Sequence, residues 1–120
     1  MKFYKCTDCA DIVISDQPLS CCGSEMEELI PNTTDAAGEK HVPVIAAEPC
    51  KVTVTVGAVE HPMLAAHFIQ WIVLETSAGY QKKVLAPEQK PAAVFALSEG
   101  ETAVAAYEYC NLHGLWKAEV

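Results

Sequence analysis

Four cysteines near the start of the chain constrain what this segment can fold into. They are Cys6, Cys9, Cys21 and Cys22. The first two form a Cys-x-x-Cys loop, which lets two sulfurs reach one ion, and the last two are adjacent. Because thiolates hold zinc or iron in a tetrahedral shell, the four indicate one metal centre. A segment of about thirty residues cannot bury enough apolar surface to fold alone, so we expect the metal to supply much of its stability.

Two other interpretations of these cysteines are open. The four could form two disulfides, but nothing in the sequence indicates an oxidising compartment. The Cys-x-x-Cys loop could also be a thioredoxin-like redox motif. That motif requires a junction between a strand and a helix, and no helical pattern follows Cys9.

All four histidines occur in short motifs that suit a second metal site. Together with one late cysteine, the candidate ligands are His41, His61, His67, Cys110 and His113. Neutral imidazole and thiolate are good ligands for iron and for the later first-row metals. Four unrelated histidines with local hydrogen bonds are the alternative. The remaining cysteine, Cys50, belongs to no motif and is interpreted as a small core or surface residue.

Charge and hydropathy exclude several classes of protein. The formal net charge is −8 and arginine is absent, which argues against a nucleic-acid partner. No apolar run approaches the length of a membrane span, and the first residues lack the apolar stretch of a signal peptide. We therefore expect no membrane partner and a cytoplasmic location, where thiols stay reduced. Since 51% of the 120 residues are hydrophobic, a packed core is expected.

A shift in composition predicts two domains, residues 1–35 and 36–120. The first carries two lysines against seven acidic residues, and the second carries six lysines against nine. Residues 31–38 are rich in turn formers and are typical of a linker.

Strand patterns dominate the sequence. Residues 51–56 alternate between apolar and polar side chains, as a half-buried strand does. Strands are predicted at residues 2–5, 12–14, 42–47, 51–56, 68–74, 80–85, 93–97 and 102–109. Short strands at this spacing predict an all-β chain whose larger domain is an antiparallel β-sandwich. The alanine-rich residues 102–107 could instead be helical, and residues 62–67 could form a single helical turn.

Taken together, the motifs resemble one known family. They are Cys6-x-x-Cys9, Cys21-Cys22, Glu39-Lys40-His41-Val42-Pro43, His61-Pro62-Met63 with His67, and Cys110-Asn111-Leu112-His113-Gly114. Over nearly the whole chain this set resembles desulfoferrodoxin, the two-iron form of superoxide reductase. The resemblance implies an immunoglobulin-like sandwich preceded by a small desulforedoxin-like domain with one iron on four cysteines.

The resemblance also implies roles for single residues and for partners. The four histidines would be equatorial ligands of a second iron, and Cys110 its axial ligand. Lys40 would steer and stabilise superoxide, and Glu39 would bind the oxidised iron after turnover. The usual alternative for a Glu-Lys dipeptide is a solvated salt-bridged face. Superoxide would be the substrate and hydrogen peroxide the product, with electrons from a rubredoxin-like donor and a homodimer as the usual assembly. The first iron could pass electrons inward or be mainly structural.

Two rival functions belong to other classes. A cupredoxin-like electron carrier uses two histidines, one cysteine and usually a methionine after the last histidine. No methionine follows His113, and such a site leaves His61 and His67 unexplained. The second rival is a structural zinc protein with a closed site.

Overall fold

The computed structural model describes all 120 residues, which form two compact units, Met1–Pro31 and Asn32–Val120. Both units are built almost entirely from antiparallel strands, so the predicted all-β class is confirmed. No helix in the structure is long and apolar enough to cross a membrane. The assignment of one metal domain to residues 1–35 and another to residues 36–120 stays a prediction.

The first unit contains five short strands. They are β1 (Phe3–Lys5), β2 (Ile12–Ile14), β3 (Ser20–Cys21), β4 (Ser24–Glu25) and β5 (Glu27–Leu29). Strand β1 lies between β2 and β5, while β3 and β4 form a separate hairpin. The hairpin turns at Cys22 and Gly23, whose φ angles are +53° and +78°. Two positive φ values in succession are typical of a tight hairpin turn, so the adjacent cysteines lie at a sharp reversal of the chain.

The second unit contains one helical turn and seven strands. They are α1 (Gly38–His41), β6 (Pro43–Glu48), β7 (Lys51–Val56), β8 (Ile69–Thr76), β9 (Gly79–Val84), β10 (Ala92–Ala96), β11 (Ala103–Cys110) and β12 (Gly114–Glu119). One sheet has the order β10-β7-β6, and the other has the order β12-β11-β8-β9. All pairings in both sheets are antiparallel.

A single apolar core lies between the two sheets. The alternation of β7 places Val52, Val54 and Val56 in this core, each no more than 1% exposed. From the facing sheet, Ile72 and Leu74 are fully buried in the same cluster. Burial of branched side chains from both sheets excludes water from the sandwich, which is the main stabilising contribution for such a fold.

The structure decides two open alternatives and adds elements that were not predicted. The alanine-rich stretch belongs to strand β11, so the strand predicted over residues 102–109 is found there and the helical alternative is not. Residues 62–67 are not helical, because Leu64 and His67 exchange backbone hydrogen bonds across a tight turn. Helix α1 and strands β3, β4, β5 and β12 were not predicted. Helix α1 is one turn long and has no side-chain cap, so its sequence carries no start signal.

Candidate metal centre

Five predicted ligands converge at one end of the sandwich. His41 ends helix α1, His61 lies in the turn region after β7, and His67 lies two residues before β8. Cys110 ends β11, and His113 lies in the tight turn that leads into β12. Their ligand atoms all lie within 4.8 Å of one another. Strand ends on a rigid sandwich therefore bring together side chains that are far apart in sequence.

The four imidazole rings form a closed ring of neighbours in the order 41, 61, 67, 113. Successive ring centroids are 4.7, 4.6, 5.1 and 4.9 Å apart. Each ring is steeply inclined to the next, at interplanar angles between 76° and 89°. The indole ring of Trp116 stacks on the imidazole ring of His41 with 4.9 Å between centroids, which limits rotation of that side chain.

Two backbone carbonyls fix the tautomers of the two buried histidines. Nδ1 of His41 donates to the carbonyl of Ala37 at 2.8 Å, and Nδ1 of His61 donates to the carbonyl of Pro62 at 2.6 Å. Each ring therefore carries its lone pair on Nε2. These two Nε2 atoms face each other at 3.2 Å. Two facing lone pairs repel unless a cation lies between them, so the pair fits a metal ion.

The other donors fit the same ion. Nε2 of His67 is buried and has no hydrogen-bond partner. Nδ1 of His113 lies 3.1 Å from Nε2 of His41, and Sγ of Cys110 lies 3.5 Å from Nε2 of His61. A buried polar atom without a partner is costly, and metal coordination would satisfy it.

Burial keeps these histidines neutral, which is the form that binds metal. Desolvation lowers the pKa of His61 to about 4 and also lowers the pKa of His41. The pKa of His67 is lowered first by desolvation, then by electrostatic interaction with His113 and Lys40. Imidazoles that stay unprotonated at neutral pH are available as ligands without losing a proton first.

The sulfur of Cys110 is fully buried at the base of the site. Desolvation raises the pKa of its thiol, and hydrogen bonds from the backbone N–H groups of Leu112 and His113 partly oppose that rise. Such bonds stabilise a thiolate and adjust its donor strength. Asn111 holds the same turn in place by accepting from the backbone of Phe68 at 2.9 Å and donating to the carbonyl of Ala66 at 3.1 Å.

Glu39 and Lys40 lie on the exposed surface of helix α1, directly before His41. They form no ion pair with each other, so the salt-bridged alternative is not the arrangement found. Lys40 lines an open cavity of about 460 Å³ beside His61. The other charged residues of this cavity are Glu60, Glu88 and Lys90.

The number and type of donors discriminate between metals. Structural zinc sites are almost always four-coordinate, whereas five donors converge here. A cupredoxin-like set of two histidines and one cysteine would leave two of the four clustered histidines unused, and the sulfur of Met63 instead accepts the backbone N–H of Ile69 at 3.4 Å. Four imidazoles and one thiolate suit a non-haem iron with a position left for a small ligand.

The four early cysteines also converge, so that their sulfurs lie within 4.8 Å of one another. Cys21 lies 3.6 Å from both Cys9 and Cys22, sulfur to sulfur. The backbone N–H of Cys9 donates to the sulfur of Cys6, which lowers the pKa of that thiol to about 7. The pKa of Cys21 is raised because its thiol shares its proton with the neighbouring sulfurs, first with Cys6. Four crowded, unbridged thiols are the donor set of a tetrathiolate metal site.

Two residues near the larger cluster have no motif that marks them as part of a site. Glu108 is fully buried on β11, and neither carboxylate oxygen has a hydrogen-bond partner. Burial raises the pKa of this carboxyl to about 9. Gly57 packs directly against the backbone of the segment that carries His41. Neither residue has a sequence signal, because a single glutamate in a strand and a single glycine in a turn are both common. Cys50 is exposed in the β6–β7 turn and belongs to neither cluster.

Comparisons with known proteins agree with this arrangement. Residues 33–119 match the family model described as desulfoferrodoxin. A desulfoferrodoxin from Syntrophotalea carbinolica is 46% identical over 99% of this chain and 96% of its own length. The crystal structure of the superoxide reductase from Treponema pallidum superposes with a TM-score of 0.85 at 34% identity, covering 98% of both chains. A superoxide reductase from Giardia intestinalis, described as 1Fe-SOR, covers 68% of this chain and 97% of its own at 31% identity, with a TM-score of 0.59.

Proposed function

This chain belongs to the desulfoferrodoxin family, and we propose that it acts as a superoxide reductase with two irons per chain. The reaction adds one electron and two protons to superoxide and yields hydrogen peroxide. The convergence of four imidazoles and one cysteine sulfur, with ligand atoms within 4.8 Å of one another, is the observation that carries this function. Similarity to superoxide reductases over nearly the whole chain supports the same enzyme class.

Five residues would hold the iron at this site. They are His41, His61, His67, Cys110 and His113. When bound there, ferrous iron supplies the electron and a position at which a small anion can be reduced. The carbonyls of Ala37 and Pro62 keep two of the imidazoles in the tautomer that presents Nε2. Glu39 lies two residues before the first ligand, and we propose its carboxylate as a further ligand once the metal is oxidised.

Lys40 is proposed to attract the substrate and to support its protonation. Its ammonium group has no ion-pair partner, and its charge is close enough to lower the pKa of His67. A free cation at the mouth of the site raises the local concentration of an anion, which matters on a chain of net charge −8. Because the ammonium has three donor hydrogens, it can also hold a water molecule that passes a proton to the product.

Cys110 is proposed to adjust the electron density at the metal. Its sulfur is shielded from water, and the N–H groups of Leu112 and His113 hold it from the backbone. A thiolate donates electron density to the metal more strongly than imidazole does, and hydrogen bonds moderate that donation. The turn at residues 111–113 therefore sets how readily the site gives up an electron.

The remaining parts of the proposal concern partners and location. Cys6, Cys9, Cys21 and Cys22 are proposed to hold the second iron. A rubredoxin-like protein is the proposed electron donor, and a homodimer is the proposed assembly. We place the protein in the cytoplasm, because all six cysteines are free and the four clustered ones must stay reduced to bind iron.

A metal count combined with a product assay tests this function. Anaerobically purified protein should contain two irons per chain by elemental analysis. Supplied with an artificial reductant, it should form one hydrogen peroxide for each superoxide consumed, without releasing dioxygen. Dismutation would instead give one peroxide per two superoxides together with dioxygen. Copper alone, or zinc with no superoxide consumption after iron reconstitution, would overturn the proposal in favour of a carrier or a structural protein.

A further inference from the structure

Gly57 makes an unusually close contact with the segment that carries Lys40 and His41. A Cβ atom placed at Gly57 would lie 2.7 Å from the backbone oxygen of Glu39, 2.9 Å from the carbonyl carbon of Lys40 and 3.1 Å from the backbone oxygen of Val42. Real Cβ atoms almost never lie within 3.0 Å of another heavy atom, and all three of these atoms belong to the backbone, so a side chain at this position would force backbone to move. The glycine is therefore needed for close approach of two backbones.

A hydrogen bond joins the same two segments. The backbone N–H of Val59 donates to the carbonyl of Glu39 at 2.8 Å. The turn that contains Gly57 and Val59 is closed within itself, because the N–H of His61 donates to the carbonyl of Val56 at 2.9 Å. The turn after β7 therefore contacts the segment that carries His41 and continues directly into His61.

Apart from the stacking of Trp116 on His41, the segment before β6 has few restraints from outside itself. The hydrogen bonds of Lys40 and Val42 close within the helical turn, on Ala37 and Gly38. The bond from His41 Nδ1 is also local, since its acceptor is Ala37. Helix α1 has no side-chain cap, and a helix of one turn is not stable by itself. The contact with the turn after β7 is therefore a principal restraint on its position.

We propose that Gly57 is a positioning residue, which sets the placement of Lys40 and His41 relative to His61. The expected change in the rate with superoxide rests on the proposed function, whereas the expected change in the placement of the ligands does not. Because the contact is between two backbones, it transmits any change at residue 57 to both the steering charge and a ligand. A displacement of about 1 Å at such a site can cost on the order of 100-fold in rate, so even a partial shift is measurable.

The test compares Gly57→Ala with Gly38→Ala, a matched control in helix α1. A Cβ at Gly38 meets no atom within 4 Å, so the control adds the same methyl group without a clash. In the cobalt-substituted protein, Gly57→Ala should keep full metal content but shift the ligand-field absorption bands, and Gly38→Ala should not. Unchanged bands in Gly57→Ala would overturn the proposal, whatever the enzyme's activity.

The rate of reaction with superoxide distinguishes the effect of Gly57 on Lys40 from its effect on His41. Gly57→Ala should react about tenfold more slowly than the unaltered iron protein, an intermediate value for a partial shift. If part of this loss arises from displacement of Lys40, the fold-change in rate caused by Gly57→Ala should be smaller when it is measured between two chains that both carry Lys40→Ala. A loss of the same size in that background would remove Lys40 from the proposal.

Amide hydrogen exchange tests the inference without any substitution, should Gly57→Ala fail to fold. In the diamagnetic zinc-substituted protein, the amides of Val59, Lys40 and Val42 should have the same protection factor, as expected for a turn and a segment that open together. A protection factor for the Val59 amide many times lower than those of the other two would show that the turn does not restrain the segment, and the inference would be wrong.

Discussion

Replacing Glu108 with glutamine removes a titrating group from the sandwich core while keeping the size of the side chain, and should change how stability depends on pH. The carboxyl is fully buried without a hydrogen-bond partner, and burial raises its pKa to about 9. In the unfolded chain the same group has a pKa of about 4.3. Between these two values the folded protein holds a proton that the unfolded chain releases. Folding stability should therefore fall as pH rises through this window, and it should be highest at the acidic end.

The size of the effect follows from proton linkage. Each pH unit within the window should cost about 1.4 kcal/mol of unfolding free energy, so the step from pH 5.5 to 7.5 should cost about 3 kcal/mol. Glu108→Gln cannot ionise and lacks this contribution. Other titrating groups, including the histidines, are common to both chains and cancel in the difference. Relative to the unaltered chain, the variant should therefore gain about 3 kcal/mol over the same two pH units.

Urea unfolding of the metal-free protein measures this difference. Both tryptophans, Trp71 and Trp116, lie on strands of the sandwich, so their fluorescence reports the unit that contains Glu108. Glu99→Gln is the matched control, because it removes the same charge from an exposed position. If the free-energy curves of Glu108→Gln and the unaltered chain run parallel from pH 5.5 to 7.5, the carboxyl is not protonated in the fold and the reasoning is refuted.

Three further substitutions test separate parts of the proposed mechanism. Lys40→Ala should slow the reaction with superoxide on the order of tenfold at low salt and weaken its salt dependence. Lys51→Ala, which removes the same charge from the far end of β7, should do neither. Cys22→Ser should abolish the visible absorption of the tetrathiolate iron, but superoxide reduction with an artificial donor should persist; its loss would contradict the separation of the two sites. Asn111→Ala removes two side-chain hydrogen bonds and should destabilise the sandwich by about 1–3 kcal/mol in urea unfolding, whereas an unchanged midpoint would show that these bonds do not hold the turn.

Side-chain periodicity predicted those strands that bury one face. Strand β7 has the predicted bounds, because valines alternate with polar residues and only one face meets the core. Strand β11 was ambiguous, since residues 105–110 are all buried and a fully buried strand shows no alternation. The helical turn α1 was missed because four residues without a cap give no periodic signal.

The sequence named the side chains that form both clusters but not the backbone carbonyls and the glycine that orient them. Histidine and cysteine are conspicuous because few other residues bind these metals, and their motifs resemble those of one family. The orienting groups are backbone atoms, such as the carbonyl of Pro62, or common residues such as Gly57. Their roles depend on distances between segments that lie far apart in sequence, and those distances exist only in the folded chain.

The two carbonyls that orient His41 and His61 have an evolutionary consequence. Because the acceptors are main-chain atoms of Ala37 and Pro62, a point mutation at either position changes the side chain and leaves the acceptor in the peptide. The tautomers of these two histidines therefore depend on the backbone conformation and not on which side chains occupy positions 37 and 62. Related chains could replace both residues and still present the same nitrogen, so an inventory of conserved side chains would overlook this part of the site.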